Sequence, residues 1–85
     1  MKKMKIEVYS KNDCSWCERL KSLLDFHHIE YEEKSLNKGF TKEEIQERVG
    51  ELKKINTVPQ FFVDGVYVGG YLEAVEFVAY DKFNE

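Results

Sequence analysis

Residues 4–24 have the sequence MKIEVYSKNDCSWCERLKSLL, which carries the two clearest structural signals in the chain. Met4–Tyr9 alternates between apolar and polar side chains, and this period of two predicts a strand. Ser10–Asp13 is polar and turn-like. Apolar side chains then recur at helical spacing, at Trp16, Leu20, Leu23 and Leu24. The pair Cys14 and Cys17, in a C-x-x-C pattern, therefore lies where a strand gives way to a helix.

The middle of the chain predicts a short strand followed by a helix. Ile29–Lys34 is rich in glutamate but keeps enough alternation to predict the strand. Thr41 and Glu44 have the spacing of a capping box at a helix start, and Phe40 and Ile45 flank it as a hydrophobic staple would. The helix is expected to present one apolar face, formed by Ile45, Val49 and Leu52.

The last third predicts a hairpin and a final helix. Gln60–Val63 and Val66–Val68 are two apolar runs joined by Asp64-Gly65, a dipeptide that favours a two-residue turn. Gly69-Gly70 ends the hairpin. A helix is expected from Tyr71 or Leu72 to near Phe83, with a core stripe at Leu72, Val75, Ala79 and Phe83.

These elements give the order β-α-β-α-β-β-α within one domain, residues 1–85. The first β-α-β unit requires a right-handed parallel crossover, whereas the hairpin strands are antiparallel. The predicted fold is therefore of the α/β class, a four-stranded mixed sheet with helices on both faces.

Charge and hydropathy exclude several classes of partner. The chain has 13 basic and 16 acidic side chains, for a formal net charge of −3, so it has no strong basic field for nucleic acid or an anionic membrane. The N-terminal segment lacks the apolar region of a signal peptide, and no stretch reaches the length of a membrane span. We expect a cytoplasmic monomer that binds neither nucleic acid nor membranes.

The cysteine pair is better explained as a reactive dithiol than as a disulfide that stabilises the fold. A loop this short removes little entropy from the unfolded chain, and the cytosol keeps such pairs reduced. At a helix start, free backbone N–H groups and the helix dipole favour a Cys14 thiolate, while Cys17 lies one turn inward. Two alternatives remain: half of a zinc site completed by His27 or His28, or two inert buried thiols.

Three motifs together resemble the glutaredoxin family: Cys14-Ser15-Trp16-Cys17 after a strand, Thr57-Val58-Pro59 before a hairpin, and Gly69-Gly70 before the last helix. The resemblance spans nearly the whole chain, and the long segment before Thr57 is similar to viral and phage glutaredoxins. It implies a thioredoxin-like fold and a glutathione-dependent thiol–disulfide oxidoreductase, with glutathione as co-substrate and no tightly bound cofactor. It also implies disulfide-containing protein substrates, ribonucleotide reductase among the candidates.

The resemblance implies Cys14 and Cys17 as catalytic residues and a glutathione site. In that site Lys11 meets a carboxylate at the glycine end, where Gln60 is also a polar contact, and the Val58 backbone pairs with the central cysteine of glutathione. Backbone N–H groups of Gly70 and Tyr71 hold the γ-glutamyl carboxylate, as helix N-termini hold anions. The implied substrate-binding residues are Lys11, Trp16, Thr57, Val58, Pro59, Gln60, Gly70 and Tyr71.

The family context also predicts a cis Val58–Pro59 bond beside the sulfurs. Three positions depart from the family pattern. Ser15 replaces the usual proline, Trp16 replaces a tyrosine, and Leu72 stands where an acidic residue often meets the glutamyl ammonium, a role that Glu73 could take.

Two other functions remain open from the sequence. Serine after the first cysteine also resembles glutaredoxins that carry a 2Fe–2S cluster between two glutathione-bridged copies, in which Cys14 would be the metal ligand. A redoxin reduced by thioredoxin reductase would keep C-x-x-C and the proline. Such proteins usually lack the glutathione contacts, so Lys11 and Gln60 favour the glutathione-linked function.

Overall fold

A computed structural model describes the backbone of residues 4–83 and the side chains of residues 4–80. The observed order of helices and strands is the predicted one. A short 3-10 helix, Leu36–Lys38, follows the second strand. The strands and α-helices are β1 (Ile6–Ser10), α1 (Ser15–Phe26), β2 (Glu32–Ser35), α2 (Lys42–Val49), β3 (Gln60–Val63), β4 (Val66–Gly69) and α3 (Tyr71–Phe83).

The four strands form one mixed sheet in the order β2-β1-β3-β4. β1 runs parallel to β2, with Val8 opposite Glu33, and antiparallel to β3, with Val8 opposite Phe61. β3 and β4 form the predicted hairpin, in which Asp64 and Gly65 both have positive φ, as a tight hairpin turn requires. Within residues 4–83, no helix is long and apolar enough to cross a membrane.

Helices cover both faces of the sheet, and each face has its own core cluster. On the α2 face the cluster contains both cysteines, and its members are Tyr9, Cys14, Cys17, Ile45, Val49, Ile55, Val58 and Phe62. The face covered by α1 and α3 buries Ile6, Val8, Leu20, Leu24, Phe61, Ala74 and Val78. Alternation along β1 and β3 produces this division, because successive side chains point to opposite faces. The predicted thioredoxin-like arrangement is therefore confirmed.

Two details of the middle segment differ from the prediction. The second strand begins at Glu32 rather than Ile29, because Ile29 and Tyr31 pack against the core cluster on the α1 and α3 face instead of pairing in the sheet. Leu52 is 84% exposed, so its predicted place in the core is wrong. The cause is Gly50, whose φ of 72° ends α2 before the chain reaches Leu52.

The core stripe predicted for α3 is also wrong in part. Leu72 is 70% exposed and Ala79 is exposed, whereas Ala74 and Val78 are buried against the sheet. Apolar residues occur on several sides of this helix, so their spacing does not select one face; packing against α1 and the sheet does. The side chain of Phe83, also placed in that stripe, lies outside the described side chains.

A buried ionic network lies on the α2 face of the sheet. Glu7 is 3% exposed because β1 is an inner strand covered on both sides. Arg48 donates to both Glu7 carboxylate oxygens, at 3.0 and 3.1 Å, and Lys34 donates to one at 2.6 Å. These donors outweigh the effect of burial and hold the pKa of Glu7 at about 2. The Tyr9 hydroxyl accepts from Arg48 and donates to Glu44 at 2.7 Å.

Thr41 caps α2 as the sequence predicts: its hydroxyl accepts the Glu44 N–H at 3.1 Å. We expect Thr41→Ala to lower the free energy of unfolding by about 1 kcal/mol, because one helix-start N–H loses its acceptor. Urea denaturation measures this loss. Lys42→Ala, an exposed change in the same turn, is the control, and equal stability of the two variants would contradict the capping role.

Candidate active site

Cys14 is the residue at which α1 begins. It is the N-cap, in extended conformation, and its sulfur accepts the Cys17 backbone N–H at 3.2 Å. The two cysteines form a disulfide, with their Cα atoms 5.2 Å apart. Cys17 is completely buried, whereas Cys14 is 9% exposed, so the structure places Cys14 nearer the surface. The expected meeting of the two sulfurs on one helix face is confirmed.

This placement makes the two sulfurs chemically unequal. The Cys17 N–H points at the Cys14 sulfur from the first turn of α1, and a donor in that position would stabilise negative charge on Cys14 once the disulfide is reduced. Cys17 lies among apolar groups, including Tyr9 and Phe62, that disfavour a charged sulfur. The arrangement can therefore present one nucleophilic thiolate at the surface and hold a second thiol directly behind it.

The Val58–Pro59 peptide bond is cis, and it lies beside the disulfide as predicted. The Val58 carbonyl oxygen is 3.8 Å from the Cys14 sulfur. Gln60 is 4% exposed; its amide donates to the Thr57 carbonyl at 2.9 Å and accepts from the Tyr67 hydroxyl at 2.7 Å. Gln60 therefore braces the loop that carries the cis bond, and its contact with glutathione stays a prediction.

Sequence reasoning missed Tyr67 as a support of this loop. Tyr67 pairs with Phe62 across the hairpin, which places it near Gln60, two residues earlier on β3. The Asp64-Gly65 turn sets the pairing of Phe62 with Tyr67, but the register shifts between Phe61 and Phe62, so hairpin pairs counted from the turn do not give the contact with Gln60.

Trp16 lies at the surface, 51% exposed. Its ring contacts Tyr71 with centroids 5.3 Å apart, and the Arg19 guanidinium lies 4.9 Å from the Trp16 ring centroid. These side chains join the start of α1 to the start of α3. They form an aromatic wall beside Cys14, at the position where the resemblance implies a substrate contact.

Lys11 and Gly70 are two further residues that the resemblance assigns to the glutathione site. Lys11 is exposed in the turn after β1 and makes no ion pair with any residue between 4 and 80. Gly70 packs near the cis bond, since a Cβ added to it would lie 3.5 Å from the Pro59 carbonyl oxygen. Its N–H donates to the Glu73 carboxylate at 2.9 Å, a contact the sequence reasoning did not foresee.

Metal coordination by the cysteines and histidines would need groups that the fold keeps apart. His27 and His28 follow the C-terminus of α1, roughly 18 Å along the helix from its start at Cys14. Among residues 4–80, no three His, Cys, Asp or Glu side chains are grouped to hold an ion. The zinc alternative that pairs Cys14 and Cys17 with these histidines is therefore wrong.

Known proteins resemble this chain in sequence and in fold. The family model described as Glutaredoxin matches residues 6–68. Glutaredoxin 1 of Escherichia coli is 33% identical over 89 residues, covering 95% of this chain and 96% of that protein. Glutaredoxin 1 of Rickettsia typhi is 38% identical over 65 residues, covering 76% of this chain, and this chain spans only 62% of that relative.

A solved structure agrees with these sequence matches. The buckwheat glutaredoxin–glutathione complex superposes with a TM-score of 0.70 at 28% identity, covering 93% of this chain and 71% of that one. Together with the paired cysteines at the start of α1 and the adjacent cis bond, the comparisons establish that this chain belongs to the glutaredoxin family.

Proposed function

We propose that the protein is a glutathione-dependent thiol–disulfide oxidoreductase that reduces protein disulfides and glutathione mixed disulfides. The observation that carries the proposal is the position of Cys14, at a helix N-cap, bonded to buried Cys17 and beside the Val58 backbone. Family membership supports the chemistry. That a buckwheat relative is solved with glutathione supports the choice of co-substrate.

With a glutathione mixed disulfide, the Cys14 thiolate attacks the glutathione sulfur. A new disulfide forms between Cys14 and glutathione, and the substrate leaves as a thiolate that takes a proton from water. A second glutathione thiolate then attacks the bound glutathione sulfur, which releases oxidised glutathione and restores the Cys14 thiolate. Cys17 is not needed in this cycle.

With a protein disulfide, the Cys14 thiolate attacks one substrate sulfur, and the other leaves as a thiolate that takes a proton from water. Cys17 then loses its proton to water and attacks the Cys14 sulfur, which forms the Cys14–Cys17 disulfide and releases the second substrate sulfur as a thiolate that is protonated in turn. The structure holds this oxidised state. Two glutathione molecules reduce it and become oxidised glutathione.

Recognition of glutathione would combine two charge contacts and one backbone pairing. The exposed Lys11 ammonium offers a charge to the glycine carboxylate, and Gly70 and Tyr71 offer N–H groups to the γ-glutamyl carboxylate. The Val58 backbone would pair with the peptide as a short strand. Trp16 would form the wall of the site, and Thr57 and Gln60 would support it through the bond between them.

The proposal places the protein in the cytoplasm as a monomer, where a glutathione pool can return it to the reduced form. Disulfide-containing proteins would be its macromolecular substrates, with ribonucleotide reductase as one candidate.

Coupled NADPH oxidation tests the proposal. With glutathione, glutathione reductase and a glutathionylated peptide, we expect turnover that depends on the protein. Replacing the first two components with thioredoxin reductase should give little turnover. The opposite pattern would identify a thioredoxin-reductase-linked redoxin and reject the proposed co-substrate.

Lys11→Ala is expected to raise the KM for a glutathionylated peptide about two- to fivefold with kcat little changed. The charge is exposed, and such contacts are worth at most about 1 kcal/mol. The increase should shrink at high salt, because salt screens the contact. Lys5→Ala, an exposed lysine before the opposite end of β1, is the control. Unchanged kinetics in Lys11→Ala at low salt would remove Lys11 from the site.

A further inference from the structure

Tyr67 and Gln60 form a short chain of hydrogen bonds that ends at the loop beside the cysteines. The Tyr67 hydroxyl donates to the Gln60 Oε1 at 2.7 Å, and the Gln60 Nε2 donates to the Thr57 carbonyl at 2.9 Å. A carbonyl can only accept, so the amide nitrogen of Gln60 must face Thr57 and its amide oxygen must face the tyrosine. The chain therefore runs in one direction, from Tyr67 to Thr57.

The hydroxyl of Tyr67 keeps Gln60 in this place. The Tyr67 ring packs against Phe62 with centroids 5.4 Å apart, which holds the hydroxyl at its position. Burial raises the pKa of Tyr67, so the hydroxyl stays a donor at alkaline as well as neutral pH. Gln60 is 4% exposed, and without this donor its amide oxygen would lack a partner in a site that water hardly reaches.

The bond from Gln60 sets the direction of the Val58 N–H. The cis bond of this loop is the one between Val58 and Pro59, so the peptide bond between Thr57 and Val58 is trans. In a planar trans peptide the carbonyl and the N–H point in opposite directions. Holding the Thr57 carbonyl toward Gln60 therefore holds the Val58 N–H away from Gln60.

This direction places the Val58 N–H on the side of the reactive sulfur. A residue before proline is restricted to extended backbone, in which its N–H and carbonyl lie on the same side. The Val58 carbonyl oxygen is 3.8 Å from the Cys14 sulfur, so its N–H faces the same surface. Val58 is 8% exposed, and among residues 4–83 no backbone carbonyl accepts this N–H. Buried backbone donors are nearly always paired, so a bound peptide group is its natural partner.

We infer that Tyr67 is a positioning residue that, acting through Gln60, orients the Val58 N–H toward the backbone of the substrate. The inference rests on the proposed function, in which Val58 pairs with the peptide groups next to the substrate sulfur. It makes Tyr67 a determinant of substrate class. Disulfides that carry a peptide backbone gain from the oriented donor, whereas small disulfides without peptide groups do not.

Tyr67→Phe tests the inference, because it removes the hydroxyl and keeps the ring against Phe62. Reduced protein is mixed with a glutathionylated peptide or with bis(2-hydroxyethyl) disulfide, which has no peptide group, and the loss of free thiol is followed by acid quench and mass measurement. We expect the second-order rate constant for the glutathionylated peptide to fall three- to tenfold, as for the loss of one hydrogen bond. The rate constant for the small disulfide should stay unchanged.

Two further variants make the comparison specific. Tyr31→Phe, the matched control, removes a hydroxyl from a partly buried tyrosine on the α1 and α3 face and should leave both rate constants unchanged. Gln60→Leu removes the amide through which Tyr67 acts and should itself slow the reaction with the peptide. Adding Tyr67→Phe to Gln60→Leu should then cause no further loss, because residues that act in series are not additive.

Each other outcome has a defined meaning. Equal slowing of both disulfides by Tyr67→Phe would overturn the inference, because the change would then act on the Cys14 sulfur. Unchanged rate constants with both disulfides, or additive losses in the double variant, would overturn it as well. The proposed function fails separately, if the wild type shows no turnover with glutathione and glutathione reductase; selective slowing of the peptide reaction in Tyr67→Phe would still uphold the role of Tyr67.

Discussion

Replacing Cys14 with serine is expected to abolish every thiol–disulfide activity. Replacing Cys17 with serine should abolish only one of the two proposed activities. Cys14 is the sulfur at the helix start and the nearer of the two to the surface, so no other group can begin the reaction. Cys17→Ser should retain reduction of glutathione mixed disulfides, because a second glutathione resolves the intermediate. It should lose most dithiol reduction of protein disulfides.

Two assays in parallel measure this difference. A glutathionylated peptide reports the first cycle, and a protein with a stable disulfide reports the second. Ser15→Ala, which changes an exposed neighbour of Cys14 without removing a thiol, controls for disturbance of the turn. Substantial activity in Cys14→Ser, or equal losses by Cys17→Ser in both assays, would contradict the assigned roles.

Glu7→Gln is expected to lower the free energy of unfolding by about 2–3 kcal/mol at pH 7. The substitution leaves Arg48 and Lys34 without their buried carboxylate, and breaking a buried pair on one side costs several kcal/mol. The Arg48 side chain is 25% exposed and the Lys34 side chain 15% exposed, so water still reaches both cations. We therefore expect a smaller cost than for a fully buried pair. Glu47→Gln, an exposed change beside Arg48, is the control.

The same carboxylate predicts how stability changes with acid. Folding lowers the pKa of Glu7 from 4.5 to about 2, so its contribution is fully present above about pH 5. It is lost as the pH falls from there toward 2, because over this interval the unfolded chain binds a proton at Glu7 that the folded protein, with its lower pKa, does not. Urea denaturation from pH 7 to pH 2 should show a shallower acid loss in Glu7→Gln than in the wild type. Parallel losses would show that another group controls the acid response.

The sequence predicted the order of elements because each has a strong local signal. The Asp64-Gly65 turn, the Thr41 cap and the alternation in β1 each act within a few residues, and each is present in the structure. The face that α3 turns to the sheet could not be predicted in this way. Its apolar residues lie on several sides, and the contacts of α3 with α1, β3 and β4 determine that Leu72 is on the exposed side.

The buried carboxylate of Glu7 in β1 is a second feature that local sequence patterns do not predict. Alternation identifies Glu7 as the polar position of a strand, but it does not show that the strand is internal. Its partner Arg48 lies 41 residues away, on a helix whose place over the sheet depends on the whole fold. Pairing at this separation leaves no periodic signal in one sequence.

The sequence likewise predicted only part of the candidate site. The two cysteines and Pro59 were expected together, and the structure brings them together. Two hydrogen bonds were not expected: the one that the Tyr67 hydroxyl donates to Gln60, and the one that the Gly70 N–H donates to Glu73. The Gly70 contact did have a signal, since Glu73 stands at the capping-box position of the last helix.

Alkylation of the reduced protein at increasing pH, with each cysteine followed by peptide mapping, measures the inequality of the two sulfurs. We predict that Cys14 is labelled at pH values well below the titration of a free cysteine, about 8.5, because its thiolate is stabilised at the start of α1. Cys17, fully buried, should stay unlabelled until the protein unfolds. Labelling of both cysteines together at the pH of an ordinary thiol, or of Cys17 first, would contradict Cys14 as the nucleophile.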